Sequence, residues 1–168
     1  FFDKALAILH EAGDRAGEGG TLNNIGLVNK NLGKSTKALE SLQQALAINR
    51  EVGDRAGEGT TLHNIGAIYD NLGQSTKALE FYHQALAIQR EVNDRAGEGT
   101  TLNNIGATYG ALGQSAKALE FYQQALTIVH AVGDRKGEGA TLSNIGAVYE
   151  SQGQQQQALD FYQQSIAV

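Results

Sequence analysis

The chain repeats itself. Blocks that open at Gly13, Gly53, Asn93 and Gly133 share one frame, written out by the second as GDRAGEGTTLHNIGAIYDNLGQSTKALE, and they follow one another every 40 residues without a slip. A fixed period of this length marks a supersecondary unit that cannot bury its apolar face alone and must stack on its neighbours. The expected product is a tandem array, not one closed core.

Each unit carries two apolar stripes with helical steps of three and four: Leu62, Ile65, Tyr69 and Leu72, then Ala78, Leu79, Tyr82, Ala85, Leu86 and Val92. Between them Gly73 reads as a left-handed terminator, followed by Gln74 and by Ser75 as a candidate N-cap. The pattern predicts antiparallel helical hairpins. At the other junction glycine exchanges with asparagine (Gly13, Gly53, Asn93, Gly133), as expected where the backbone needs positive φ. Asp14, Asp54, Asp94 and Asp134 follow as N-caps. First helices are predicted at about 15–32, 55–72, 95–112 and 135–152, second helices at about 35–52, 75–92, 115–132 and 155–168. Residues 1–12 match the second helix of a preceding unit, with Phe2, Ala5, Leu6 and Ile8 in the places of Tyr82, Ala85, Leu86 and Ile88. The expected organisation is a single array over 1–168, with repeats 13–52, 53–92, 93–132 and 133–168.

Composition narrows the function classes. A formal net charge of -5 gives no general attraction to phosphate backbones or anionic lipids, so no nucleic-acid and no membrane partner is expected. No apolar run approaches the roughly 20 residues of a membrane-spanning helix. The chain has no cysteine, which removes disulfides and thiolate metal sites and leaves the redox compartment open; a cytoplasmic setting is the expectation. Opening at Phe1 in mid-pattern, the sequence is expected to be a segment of a longer protein. With Phe1 and Phe2 at one end and Ile166 and Val168 at the other, end-to-end self-association is a second expected partner mode.

The order large apolar, apolar, small, aromatic, then alanine, aromatic, alanine, carried by Leu62, Ile65, Gly66, Tyr69, Ala78, Tyr82 and Ala85 and again by Leu102, Ile105, Gly106, Tyr109, Ala118, Tyr122 and Ala125, resembles the tetratricopeptide repeat (TPR) family. Two departures are the missing proline late in the second helix and a period of 40 where the common form has about 34. The longer form, with Gly-Asp-Arg at the junction, is similar to the TPRs of kinesin light chain, of Pins-type spindle-orientation adaptors and of large bacterial signalling proteins. The resemblance implies an all-α, right-handed superhelical solenoid that binds a protein or peptide ligand. In the first unit Asn29 and Leu42 stand where Tyr69 and Tyr82 stand in the second, which predicts looser packing there.

On the helical wheel the face opposite the first stripe carries Gly57, Thr60, Asn64, Ala67 and Asn71. The family analogy lays this face along a concave groove. All four units hold asparagine at one of its positions (Asn24, Asn64, Asn104, Asn144), while the neighbouring position runs Asn23, His63, Asn103 and Ser143. An amide offers two donors and an acceptor, suited to an extended peptide backbone. Asparagines at this place in related TPRs contact bound chains, so the resemblance points the same way. Candidate binding residues are these four with Thr60, Thr100, His63 and Asn71, the shoulders Lys30, Asp70 and Glu150, and the small side chains Ala107 and Ala111, which with Gly110 make the third unit the expected roomy stretch. The competing reading of the asparagines is inheritance from recent duplication, and the rival function is a structural spacer or self-assembling array.

No cofactor, metal or catalytic residue is expected. The recurring Gly-Glu-Gly at Gly57 to Gly59 lacks the lysine and strand of a phosphate loop and reads as helix, with close packing at Gly59 and open groove at Gly57. His10, His63, His83 and His130 have no i, i+4 pairing of the zinc-binding kind; His10 and His130 occupy the place of Arg50 and Arg90 near a helix C-terminus, where a cation is favourable. The run Gln154 to Gln157 reads as a drifted solvent-facing turn. Arg15, Arg55, Arg95 and Arg135 are expected to be structural staples, Arg55 pairing with Glu58 or with the preceding helix end near Glu51.

Overall fold

The computed structural model describes residues 2–168, and the side chains of all of these except residues 2, 3 and 5. The described residues form helices α1 (Phe2–Glu11), α2 (Arg15–Asn31), α3 (Ser35–Val52), α4 (Arg55–Asn71), α5 (Ser75–Glu91), α6 (Arg95–Ala111), α7 (Ser115–Ala131), α8 (Arg135–Ser151) and α9 (Gln155–Ala167). Two compact units divide the chain, residues 1–92 and 93–168. Each is built from the hairpins α2/α3 and α4/α5, or α6/α7 and α8/α9, packed one on the next. The expectations that rest on Phe1, Phe2 and Ala5 lie outside the described side chains.

Local chemistry explains the spacing. The carboxylates of Asp14, Asp54, Asp94 and Asp134 each accept a hydrogen bond from the backbone N–H three residues on, at 2.8–2.9 Å, and so start α2, α4, α6 and α8. Before them the chain turns through positive φ at Gly13, Gly53, Asn93 and Gly133, with Asn93 at +59°. Gly73 closes α4 as expected, with Gln74 N–H bonded back to Tyr69 O at 2.9 Å. One assignment changes: the residues that precede the second helices are Lys34, Gln74, Gln114 and Gln154, without a side-chain cap, and Ser75 is already the first residue of α5.

The stripes bury as expected in their middles and not at their ends. Leu62 and Ile65 are buried, but Leu72, at the helix terminus, is 44% exposed, and Ile68 takes its place in the core. Ala38 and Leu42 of one hairpin pack with Ile65 and Ile68 of the next. Ala118 and Tyr122 pack likewise with Ile145 and Val148. Burying each such Leu, Ile or Val contributes about 1.5–3 kcal/mol, so the hairpins hold one another through this seam. Tyr69 stacks on Phe81, Tyr109 on Phe121 and Tyr149 on Phe161, ring centres 5.4 Å apart. In the first hairpin the looser packing does not follow at Leu42, which is fully buried with its Cγ only 2.6 Å from where a Gly26 Cβ would stand.

Candidate functional site

The site is built separately in each unit, on the face shared by the first helices of successive hairpins. In the first unit Asn64 Nδ2 donates to Asn23 Oδ1 at 3.0 Å, and Thr61 Oγ1 donates to the same oxygen at 3.4 Å. Asn49, buried at the end of α3, donates in turn to Thr61 Oγ1 at 3.1 Å. The second unit repeats the upper half of this chain: Asn144 Nδ2 to Asn103 Oδ1 at 3.1 Å, Thr141 Oγ1 to Asn103 Oδ1 at 3.2 Å. Where Asn49 stands in the first unit, the second has Val129, and the Thr141 hydroxyl is also 2.8 Å from the carbonyl of Gly137.

This arrangement orients the amides. One of the two N–H groups of Asn64 and of Asn144 is held by the neighbouring first helix, beside the second N–H and the carbonyl of the same amide. Asn64, Asn104 and Asn144 are half-buried and Asn24 is exposed. Sequence reasoning missed Asn23 and Asn103 as the partners. The signal was present, since asparagine alternates with His63 and Ser143 at that position.

The recurrent glycines have a packing cause. A Cβ on Gly19 would stand 2.6 Å from Asn49 Oδ1, and one on Gly57 3.0 Å from Asn49 Nδ2. In the second unit a Cβ on Gly99 would stand 2.9 Å from Val129 Cγ1, and one on Gly137 3.2 Å from it. Two glycines on successive first helices thus clasp one side chain from the second helix between them. Gly59 is close-packed as expected, 3.1 Å from Ile88 Cγ2. Gly57 is not open groove: a Cβ there would also fall on the Asp54 carboxylate.

Above each clasp lies a hollow. The one in the first unit, about 140 Å³, is lined by Gly20, Asn23, Asn49, Asp54, Thr60 and Thr61 among others; the one in the second, about 310 Å³, by Thr100, Asn103, Val129, Lys136, Ala140 and Thr141 among others. The larger of these two hollows lies at the start of α6 and α8, while at the expected stretch a Cβ on Gly110 would meet only Ala118 Cβ, at 3.9 Å. Ala107 packs on the Ala118, Tyr122, Ile145 and Val148 cluster, and Ala67 is buried as well. The seam between hairpins thus takes in Ala67 and part of Ala107. Ala111 and Asn71 are exposed near helix ends. A larger hollow, about 570 Å³, lies on the side of α1 and α3 around Leu6, His10 and Ile48.

The remaining candidates fall at the margins. Thr60 and Thr100 are exposed, their hydroxyls donating to Ala56 O and Ala96 O at 3.1 and 3.0 Å, which leaves them as acceptors. His63 is half-buried, with its ring 5.5 Å from that of Tyr82. Burial, aided by the charge of Lys30, pushes its pKa down to about 4, so the ring is neutral at pH 7. Lys30 and Asp70 are half-buried; Glu150 accepts from Tyr162 OH at 2.7 Å.

Of the two partners expected for Arg55, the structure gives Glu58 and not Glu51. Arg55 bonds Glu58 and, through Nε at 3.0 Å, Glu91 at the end of its own hairpin. Glu51 belongs to Arg15 of the hairpin before, at 2.7 Å. The link between hairpins is Arg50 Nε to Glu58 Oε1, 2.7 Å, and His10 to Glu18 and His130 to Glu138 hold the same place at 3.1 and 2.9 Å. The two histidines thus sit against a carboxylate as well as at a helix end.

A family model described as tetratricopeptide repeat matches residues 17–91, 57–131 and 97–168. Among solved structures, aspartyl phosphate phosphatase F from Bacillus subtilis superposes with TM-score 0.91 at 16% identity, over 99% of this chain and 44% of that one. A Rap protein complexed with Competence and Sporulation Factor gives 0.86 at 17%, over 95% and 44%. The nearly identical TPR-like repeats of a putative kinesin light chain from Podosopora anserina give 0.74 at 20%, over 99% and 82%. The chain spans under half the length of the first two. These likenesses establish a fold of tandem helical hairpins of the solenoid type. Comparison with curated protein sequences finds no significant match.

Proposed function

Because the chain belongs to the tetratricopeptide repeat family, whose members commonly serve as protein-interaction scaffolds, we propose that it is a binding module without catalytic chemistry of its own, taking an extended peptide segment on the α2/α4 and α6/α8 faces. The observation that carries the reading is the oriented amide: Asn64 held by Asn23 and Asn144 held by Asn103, with Asn23 and Asn103 each lining a hollow. An amide fixed by one N–H keeps a second N–H and its carbonyl, a donor and an acceptor of the kind that an extended peptide backbone pairs with. A relative of the same fold, the Rap protein, was solved with Competence and Sporulation Factor bound, which supports a ligand-holding role for such a frame. No helix among the described residues is long and apolar enough to cross a membrane.

Each amide contact contributes about 0.5–1.5 kcal/mol net, so micromolar affinity is expected where several engage. Panning a peptide library on the whole chain and titrating the enriched peptide against Asn64→Ala/Asn144→Ala tests the reading. The double variant should bind about 1–3 kcal/mol more weakly with its helical circular dichroism unchanged. Full affinity in a folded double variant would return the asparagines to simple inheritance and favour the spacer role.

A further inference from the structure

Within repeats that scarcely differ, the clasped position changes in every unit: Leu9, Asn49, Gln89 and Val129. At Asn49 and at Val129 this side chain is the floor beside two glycines. Asn49 and Val129 are 4% and 2% exposed, so neither change is a surface drift. The hollow above each differs accordingly. Over Asn49 it is about 140 Å³ and ringed by amide and hydroxyl groups; over Val129 it is about 310 Å³ with a methyl floor.

We propose that the clasped residue selects the ligand side chain at each hollow, Val129 admitting an aliphatic side chain of the bound peptide and Asn49 a small polar one. This rests on the peptide-binding reading above. The physical case has three steps. Val129 lines the hollow next to the two glycines, where a Cβ at Gly99 or Gly137 would stand 2.9 or 3.2 Å from its Cγ1. An aliphatic group set on Val129 is desolvated against carbon, and the polar rim of Thr100, Asn103 and Thr141 stays with the peptide backbone. The same group set over Asn49 would instead lie against an amide whose N–H serves Thr61, ringed by the polar groups of Asn23, Thr60 and Thr61, an unfavourable exchange for aliphatic carbon. Lys136, present at the second hollow where the first unit has Ala16 and Ala56, adds a cation at the rim.

A randomised twelve-residue display library panned on the whole chain tests the proposal. Enriched peptides should share an aliphatic residue. In titrations of the synthetic consensus, replacing that residue by asparagine should weaken binding at least tenfold on the natural chain and much less on Val129→Asn. Since a new buried amide can unfold the second unit, Val129→Ala gives an independent reading: its deeper hollow should shift the preference to a larger aliphatic or aromatic residue. Asn49→Val, which copies a floor already accommodated in the second unit, should enrich peptides with a second aliphatic residue. A consensus unchanged in Val129→Ala and Asn49→Val, with binding still lost in Asn64→Ala/Asn144→Ala, would overturn floor selection and leave the groove intact. Binding indifferent to all of these variants would remove the groove reading and the floor selection with it.

Discussion

Glu58 receives Arg50 from the hairpin before it and Arg55 from its own helix, with Arg50 Nε 2.7 Å from Oε1. Its carboxylate is nearly buried, whereas both guanidinium groups remain about half exposed. One anion therefore ties two hairpins. Glu58→Ala should lower stability by about 1.5–3 kcal/mol, the range for charged hydrogen bonds, while leaving peptide affinity unchanged. Arg50→Ala and Arg55→Ala should each give part of that loss. Chemical denaturation alongside peptide titration measures both; affinity that falls while stability holds would make the arginines ligand hooks.

Acid should weaken the first unit in two stages. His63, with its pKa pushed down to about 4 by burial and by Lys30, is favoured neutral in the fold, whereas the unfolded ring titrates near 6.5. The unfolded state binds the proton first, so this stability is complete above pH 6.5 and is lost as pH falls toward 4, on the order of 3 kcal/mol at most. Burial works to raise the Glu58 pKa, but the bonds from Arg50 and Arg55 overcome it and hold the group below its ordinary value. Arg15 does the same for Glu51, and Arg55 for Glu91. Carboxylates depressed in the fold contribute above their unfolded pKa and lose that contribution below it. Melting temperature should fall from pH 6.5 downward, and His63→Gln should flatten the part between 6.5 and 4 while leaving the steeper loss below 4.5. A His63→Gln profile identical to the natural one would refute the assignment.

Glycine to alanine changes should split by position. At Gly66 and Gly106 a Cβ would stand 2.8 and 2.7 Å from the rings of Tyr82 and Tyr122, both buried. Gly66→Ala and Gly106→Ala should each cost about 1–3 kcal/mol, the overpacking range. Gly110 meets only Ala118 Cβ, at an ordinary 3.9 Å, so Gly110→Ala should stabilise α6 by up to about 1 kcal/mol. Thermal unfolding of the three variants decides it, and equal effects would show that helix propensity alone is at work.

Much of the fold was legible because its determinants are local. Asp54 caps a helix through an N–H three residues away, Asn93 takes the positive φ that glycine takes elsewhere, and the steps of three and four around Leu62 and Ile65 mark a buried stripe, all within one turn or two of chain. A 40-residue period then multiplies each local reading. What the sequence by itself determined is therefore the set of hairpins, their ends and the need for them to stack. The tertiary structure decided who meets whom: Asn64 with Asn23 across 41 positions, Arg15 with Glu51 across 36, Val129 between Gly99 and Gly137, and Ala107 against the seam cluster. A helical wheel gives the direction of a side chain about its own axis, but the axis against which it packs, and the depth at which two helices cross, follow from the fit of all the side chains in the seam at once.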